Sequence, residues 1–151
     1  MFGQKFGWER PNFFATDGMK QEDDWSFRRS KWFEAIKKEC KNVKENVGLL
    51  DMTAFAKCRI KGPKAEEFLD KLVANKLPKK VGRINLCHAL NTKGGVHSEF
   101  TIMREAEDSF YLVSAGAFQR LDHDWILKWM PSDGSVCLLY TSDAADDLLC
   151  V

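Results

Sequence analysis

Leu90-Asn91-Thr92-Lys93-Gly94-Gly95-Val96-His97-Ser98-Glu99-Phe100-Thr101-Ile102 is the stretch on which the fold turns. Two extended runs flank a Gly-Gly pair. Glycine tolerates positive φ at no steric cost, so the pair predicts a β-hairpin. Side chains alternate across a strand, which puts Val96, Ser98, Phe100 and Ile102 on an apolar face and His97, Glu99 and Thr101 on the opposite one. Pairing Asn91 with Val96 across the turn would set His88 opposite Glu99.

Working outward, the remaining elements follow from periodicity. Phe110 to Ser114 reads as a third strand after a turn at 106–108, and about 83–91 as the strand entering the hairpin. Ala56, Cys58 and Ile60 alternate with Lys57, Arg59 and Lys61, a half-buried strand. Apolar residues recur at spacings of three and four in three places. Phe33, Ile36, Cys40, Val43 and Val47 form one helical stripe, capped at Ser30 and ended by Gly48. Ala65, Phe68, Leu69, Leu72 and Val73 form a second, with Pro63 at its first position. Phe118, Leu121, Trp125 and Trp129 form a third. Helix, strand, helix, three antiparallel strands and helix amount to an α+β arrangement, an antiparallel sheet packed with amphipathic helices. Residues 1–27, rich in Gly, Pro and aromatics, show neither period.

Composition limits the function classes. The chain has 151 residues, 44% hydrophobic and 30% charged, with net charge +1. That describes a globular chain with a sizeable core. Interleaved charge gives no reason to expect nucleic acid as a partner. No apolar run approaches the roughly 18 residues of a membrane span, and the start lacks a secretory signal's apolar core. Five cysteines without a Cys-x-x-Cys, and three histidines without zinc spacing, predict no metal site and reduced, mostly buried thiols. Lys37, Lys38, Lys41 and Lys44 read as a solvated helix face, and Lys76, Lys79, Lys80 and Arg83 as a solvated loop or, alternatively, as an attractor of an anionic chain. His97 and His123 stand isolated; Trp25, Trp32, Trp125 and Trp129 read as core or interface residues.

Cys137 to Asp146 spells the translation of a sequencing-library adapter, so 137–151 are expected to be foreign to the native fold.

Several segments together resemble one family. Gly7-Trp8-Glu9-Arg10-Pro11 with Phe27-Arg28-Arg29-Ser30-Lys31-Trp32-Phe33 looks like the junction between the flavin and folate halves of the dimethylglycine and sarcosine dehydrogenases. Leu50-Asp51-Met52-Thr53, Ile60-Lys61-Gly62-Pro63, the Gly-Gly hairpin and Phe110-Tyr111-Leu112-Val113 resemble the start of their folate half, which is similar to the aminomethyltransferase (glycine-cleavage T-protein) folate-binding domain. The resemblance implies three segments: a junction over 1–27 from a flavin half not in this chain, the N-terminal part of a folate-binding domain over 28–136, and the adapter segment over 137–151. It implies FAD in the flavin half, whose Gly-x-Gly-x-x-Gly phosphate loop is absent here, and tetrahydrofolate as the acceptor of a one-carbon unit from a small methylated amine. Glu99 matches the position whose carboxylate engages the pterin, and is the expected catalytic residue. Leu86, Glu99 and Thr101 are the expected cofactor-binding residues. Leu86 stands where many members have tyrosine, Ser114 where asparagine is common, and Glu99 where aspartate is commoner; these departures favour the dehydrogenase branch. The flavin domain is expected to pack near residues 6–14. Two other readings fit the pattern: a regulatory protein of the same architecture, like the pyruvate dehydrogenase phosphatase regulatory subunit, and a free-standing aminomethyltransferase. The expected compartment is the cytoplasm for a bacterial parent or the mitochondrial matrix for a eukaryotic one.

Overall fold

In a computed structural model of the chain, residues 1–5, 8–22 and 26–140 are described. They fall into two compact units, Met1–Asp51 and the part from Met52 onward.

The first unit holds a hairpin, β1 (Phe2–Lys5) and β2 (Trp8–Pro11), paired from Phe2↔Pro11 to Lys5↔Trp8. The sequence predicted no strand here. Backbone pairing between two short strands needs no apolar alternation, which is why the pattern was silent. The terminal amino group donates to the Phe13 carbonyl at 3.0 Å, and the Asn12 N–H to the Met1 carbonyl at 3.0 Å, closing the hairpin over a buried Phe13. Helix α1 spans Phe33–Glu45. It starts later than predicted: Trp32, not Ser30, is the N-cap, and Ser30 contributes only its carbonyl, to the Phe33 N–H at 3.0 Å. The buried residue is Ala35, which is outside the predicted stripe; of the stripe, Phe33 and Ile36 are half-buried and Cys40, Val43 and Val47 are exposed.

The second unit is a five-stranded antiparallel sheet. Its strands are β3 (Ala56–Lys61), β4 (Ile84–Leu90), β5 (Val96–Ala106), β6 (Ser109–Ser114) and β7 (Cys137–Tyr140), in the order β4-β5-β6-β3-β7. The register aligns one apolar layer: Cys87↔Phe100, Ile102↔Leu112 and Ile60↔Phe110 are cross-strand partners. Helices α2 (Ala65–Leu72) and α3 (Gln119–Trp129) share this core through Phe68, Leu69, Leu72 and Ile126. Burial of this layer is the main favourable term, at about 25 cal/mol per Å² of apolar surface. The other face carries Leu86, His88, Glu99, Thr101, Val113 and Lys57 and has no helix over it among the described residues of this unit. One covered face and one alternating open face is the expected pattern for an antiparallel sheet.

Two details depart from prediction, and a third concerns the segment read as foreign. Pro63 sits before the Lys64 N-cap of α2 rather than at the first helical position, because Gly62, at φ +125°, first turns the chain and accepts the Ala65 N–H at 2.9 Å. On α3 the inward residues are Asp122 and Ile126, while Phe118, Leu121 and Trp129 are exposed. A one-turn 3₁₀ segment, Gly116–Phe118, rotates the helix entry. Finally, Cys137–Tyr140, set aside as foreign, pairs with β3 and buries Leu138 beside Ile60. An unpaired strand edge accepts any complementary extended segment, and alternating apolar residues suffice to dock it. The rest of that segment, 141–151, lies outside the described residues. Buried Cys58 and Cys87 are free thiols, Cys40 is an exposed one, and Cys137 is disulfide-bonded.

Candidate functional site

The hairpin turn is built by Asn91 and Gly94. Gly94 has φ +80°, and the Asn91 side-chain oxygen accepts the N–H of Lys93 at 2.9 Å and of Gly95 at 3.1 Å. Such an Asx turn fixes the loop without tertiary contacts. The pairing expected at its mouth is shifted: Val96 pairs with Leu90, not Asn91, and Ser98 with Ala89. His97 is thus the extra residue of a β-bulge. Below the bulge the register is the predicted one, and His88 stands opposite Glu99.

The bulge also moves His97 off the Glu99 face, where alternation had put it. Its ring stacks on Trp125 of α3, with centroids 3.9 Å apart. The His97 Nε2 and Trp125 Nε1 atoms are buried with no hydrogen-bond partner among the described residues.

Glu99 Oε2 lies 3.0 Å from His88 Nε2. On the far side of the imidazole, the Asn75 side-chain oxygen accepts the His88 backbone N–H at 2.7 Å and faces Nδ1 at 3.3 Å. The imidazole thus stands between two oxygen acceptors, the Glu99 carboxylate and the Asn75 side-chain carbonyl, which fix its orientation. Asn75 is placed by the chain leaving α2, where the Ala74 N–H donates to the His88 carbonyl at 2.9 Å and Val73 bridges to Ala89.

Thr101 sits two residues along from Glu99, between Leu86 on β4 and Val113 on β6. All three predicted residues, Leu86, Glu99 and Thr101, therefore share the open face. Glu99 and Leu86 are more than half exposed. A flat heterocycle laid over Leu86, Thr101 and Val113 would meet apolar surface, with a carboxylate at its edge to take ring N–H donors.

Ser114 does not join this face. Its hydroxyl donates to Asp122 Oδ2 at 2.6 Å, and the Ser98 hydroxyl donates to Oδ1 of the same carboxylate. Asp122 is 2% exposed and ties α3 to β5 and β6. Prediction missed it because it assigned the inward stripe to Phe118, Leu121, Trp125 and Trp129. The available signal was Asp122 and Ile126, four apart, beside two serines at inward strand positions. Burial, and secondarily the Asp122 carboxylate, pushes the neighbouring Cys58 thiol up from 9.0 to about 12. Tyr140 is also pushed up, mainly by burial. Among the described residues no group of three His, Cys, Asp or Glu side chains is arranged to hold a metal ion.

A profile of the GCVT N-terminal domain matches residues 1–149. The chain belongs to that family. Mouse mitochondrial dimethylglycine dehydrogenase is 38% identical to this GCVT-family chain over 120 residues, covering 80% of it and 14% of the relative. The mouse mitochondrial pyruvate dehydrogenase phosphatase regulatory subunit is 33% identical over 140 residues, covering 89% of the chain and 16% of the relative. Sarcosine oxidase subunit alpha of a Corynebacterium is 30% identical over 129 residues, covering 83% and 12%. The GCVT-family chain thus spans about one-seventh of the length of such relatives. The glycine cleavage system aminomethyltransferase T from Bartonella henselae has the same fold over 93% of the chain and 34% of its own, with a TM-score of 0.72 and 21% identity.

Proposed function

We propose that this chain supplies the first part of the folate-binding region of a flavin-dependent dehydrogenase that demethylates a dimethylglycine- or sarcosine-type amine and passes the one-carbon unit to tetrahydrofolate. The observation that carries the reading is Glu99 on the open sheet face, hydrogen-bonded to His88 and flanked by Leu86 and Thr101. Tetrahydrofolate, when bound, supplies the nucleophilic nitrogen that takes up the carbon unit. Glu99 accepts ring N–H donors and fixes the ring's orientation, a proximity contribution. His88, held by Asn75, hydrogen-bonds to the Glu99 carboxylate and keeps it aimed across the open face, a positioning role. Leu86 and Val113 exclude water from one side of the ring.

FAD does not fit this chain. The described sheet is wholly antiparallel and contains no βαβ phosphate-binding unit. FAD belongs to the proposed flavin domain, which packs near residues 6–14, of which Phe6 and Gly7 lie outside the described residues. The named relatives are mitochondrial and bacterial proteins, so the matrix or the bacterial cytoplasm is the proposed compartment. Among the described residues no helix is long and apolar enough to cross a membrane.

The regulatory reading keeps a place because the phosphatase regulatory subunit matches more of this chain than the dehydrogenase does. One experiment on the full-length protein separates the two. Dimethylglycine or sarcosine should bleach the flavin, and added tetrahydrofolate should suppress formaldehyde release. A protein whose flavin is not reduced by any methylated amine would leave the regulatory reading.

A further inference from the structure

Cross-strand partners Leu86, Thr101, Val113 and Lys57 form a single row over four strands of the open face. Neighbouring strands lie about 4.8 Å apart, so the row is roughly 14 Å long. Leu86 stands at its β4 end and Lys57 at its β3 end. Strand β7 pairs with β3 from Cys58 to Lys61 and stops short of Lys57. The border of the sheet at Lys57 is therefore left to the segment entering β3, residues 52–55.

Lys57 holds that segment. Its Nζ donates to the carbonyls of Met52 at 3.1 Å, Thr53 at 3.1 Å and Phe55 at 2.9 Å. A lysine ammonium carries three hydrogens, and three carbonyls converge on it. The Phe55 N–H adds a weak turn bond to the Met52 carbonyl at 3.4 Å. The Ala54 carbonyl lies instead against Gly116, where any side chain would collide with it. Each carbonyl from Met52 to Phe55 thus has a fixed neighbour, although 52–55 belongs to no helix or strand. Backbone groups in such a turn would otherwise be shared with water. The charge of Lys57 is used to shape the protein.

We propose that Lys57 is a positioning residue of the open face. By gathering the 52–55 carbonyls it fixes a wall at the β3 end of the row, against which a flat ring laid over Leu86, Thr101 and Val113 comes to rest. Glu99 holds the edge of that ring, and the wall limits its slide across the strands. The wall sets how tightly the ring is seated and takes no part in moving protons or carbon. The inference rests on the folate reading of Glu99.

The test uses the full-length protein with dimethylglycine as donor, reading flavin reduction and methylene-tetrahydrofolate formation separately. Lys57→Gln keeps most of the side chain's length and removes the ammonium. It should raise the KM for tetrahydrofolate about tenfold, the order expected on losing charge-assisted hydrogen bonds that hold the seat. Transfer should recover at saturating tetrahydrofolate, the mark of lost binding that is equal in ground and transition states. Lys57→Ala leaves a gap that ethylammonium can fill. Ethylammonium chloride should lower the KM of this variant toward the wild-type value, and sodium chloride at equal ionic strength should not. An unchanged KM in both variants overturns the proposal. A loss that ethylammonium leaves unrestored also overturns it, by making Lys57 a general stabilising residue. Normal Lys57 variants beside an impaired Glu99→Gln would sink this inference alone. Formaldehyde release that ignores tetrahydrofolate in the wild type would sink the folate reading, and this inference with it.

Discussion

At the scale of single residues, the chemistry rests on a carboxylate whose position was legible and whose surroundings were not. Counting outward from the Gly-Gly turn put Glu99 opposite His88, and the structure has that pair. The Asn75 support was not legible, because it joins residues 13 apart through a loop with no period. Nor was the bulge at His97, since a two-against-one pairing is chosen by backbone hydrogen bonds and leaves no mark on the side-chain pattern. Glu99→Gln keeps shape and hydrogen-bonding capacity but removes charge. In the full-length protein it should leave amine-driven flavin reduction nearly unchanged and slow carbon transfer about tenfold to a thousandfold. Stopped-flow absorbance and a formaldehyde assay read the two steps separately, and equal formaldehyde yields from variant and wild type would return Glu99 to an ordinary solvated position. Cys58 gives a second test. Its thiol stays protonated to about pH 12 in the fold, whereas the unfolded thiol ionises near 9.0. Unfolding therefore releases a proton above pH 9, and stability falls as pH rises from there toward 12, by up to about 1.4 kcal/mol per pH unit from this group. Urea midpoints across that range check the sign. At pH 8 a thiol reagent should modify exposed Cys40 in the native chain and spare Cys58.

At the scale of elements, alternation and helical period identified β3 to β6, α2 and α3, because each of these lays a regular face on one core. The β1–β2 hairpin escaped for lack of such a face. On α3 the period was right and the phase was not: aromatic residues drew the assignment outward, while the buried side is set by a carboxylate clamped by two serines. The strand β7 lies in the segment read as foreign. Its four residues pair with β3 along Cys58 to Lys61 and bury Leu138. Ending the chain after Val136 should therefore cost about 2–4 kcal/mol, the usual range for losing one large buried aliphatic. Urea unfolding of the two lengths measures this. Coincident curves would mean that the sheet is complete with four strands, as expected of a segment foreign to the native fold.

At the scale of the whole molecule, the open sheet face and the short share of each relative's length point the same way: the chemistry proposed for the parent requires more than these residues. The purified chain, given excess FAD and dimethylglycine, should show no amine-dependent flavin reduction in an anaerobic spectrum. Measurable turnover would mean that the flavin domain is dispensable. The strand order adds a practical consequence. Glu99 lies on β5, next to one border of the sheet, and β7 forms the opposite border, three strands away. At about 4.8 Å per strand the two stand roughly 14 Å apart across the sheet. A fluorophore or a surface tether attached through the β7 border can therefore report on ligands arriving at Glu99 without standing in their path.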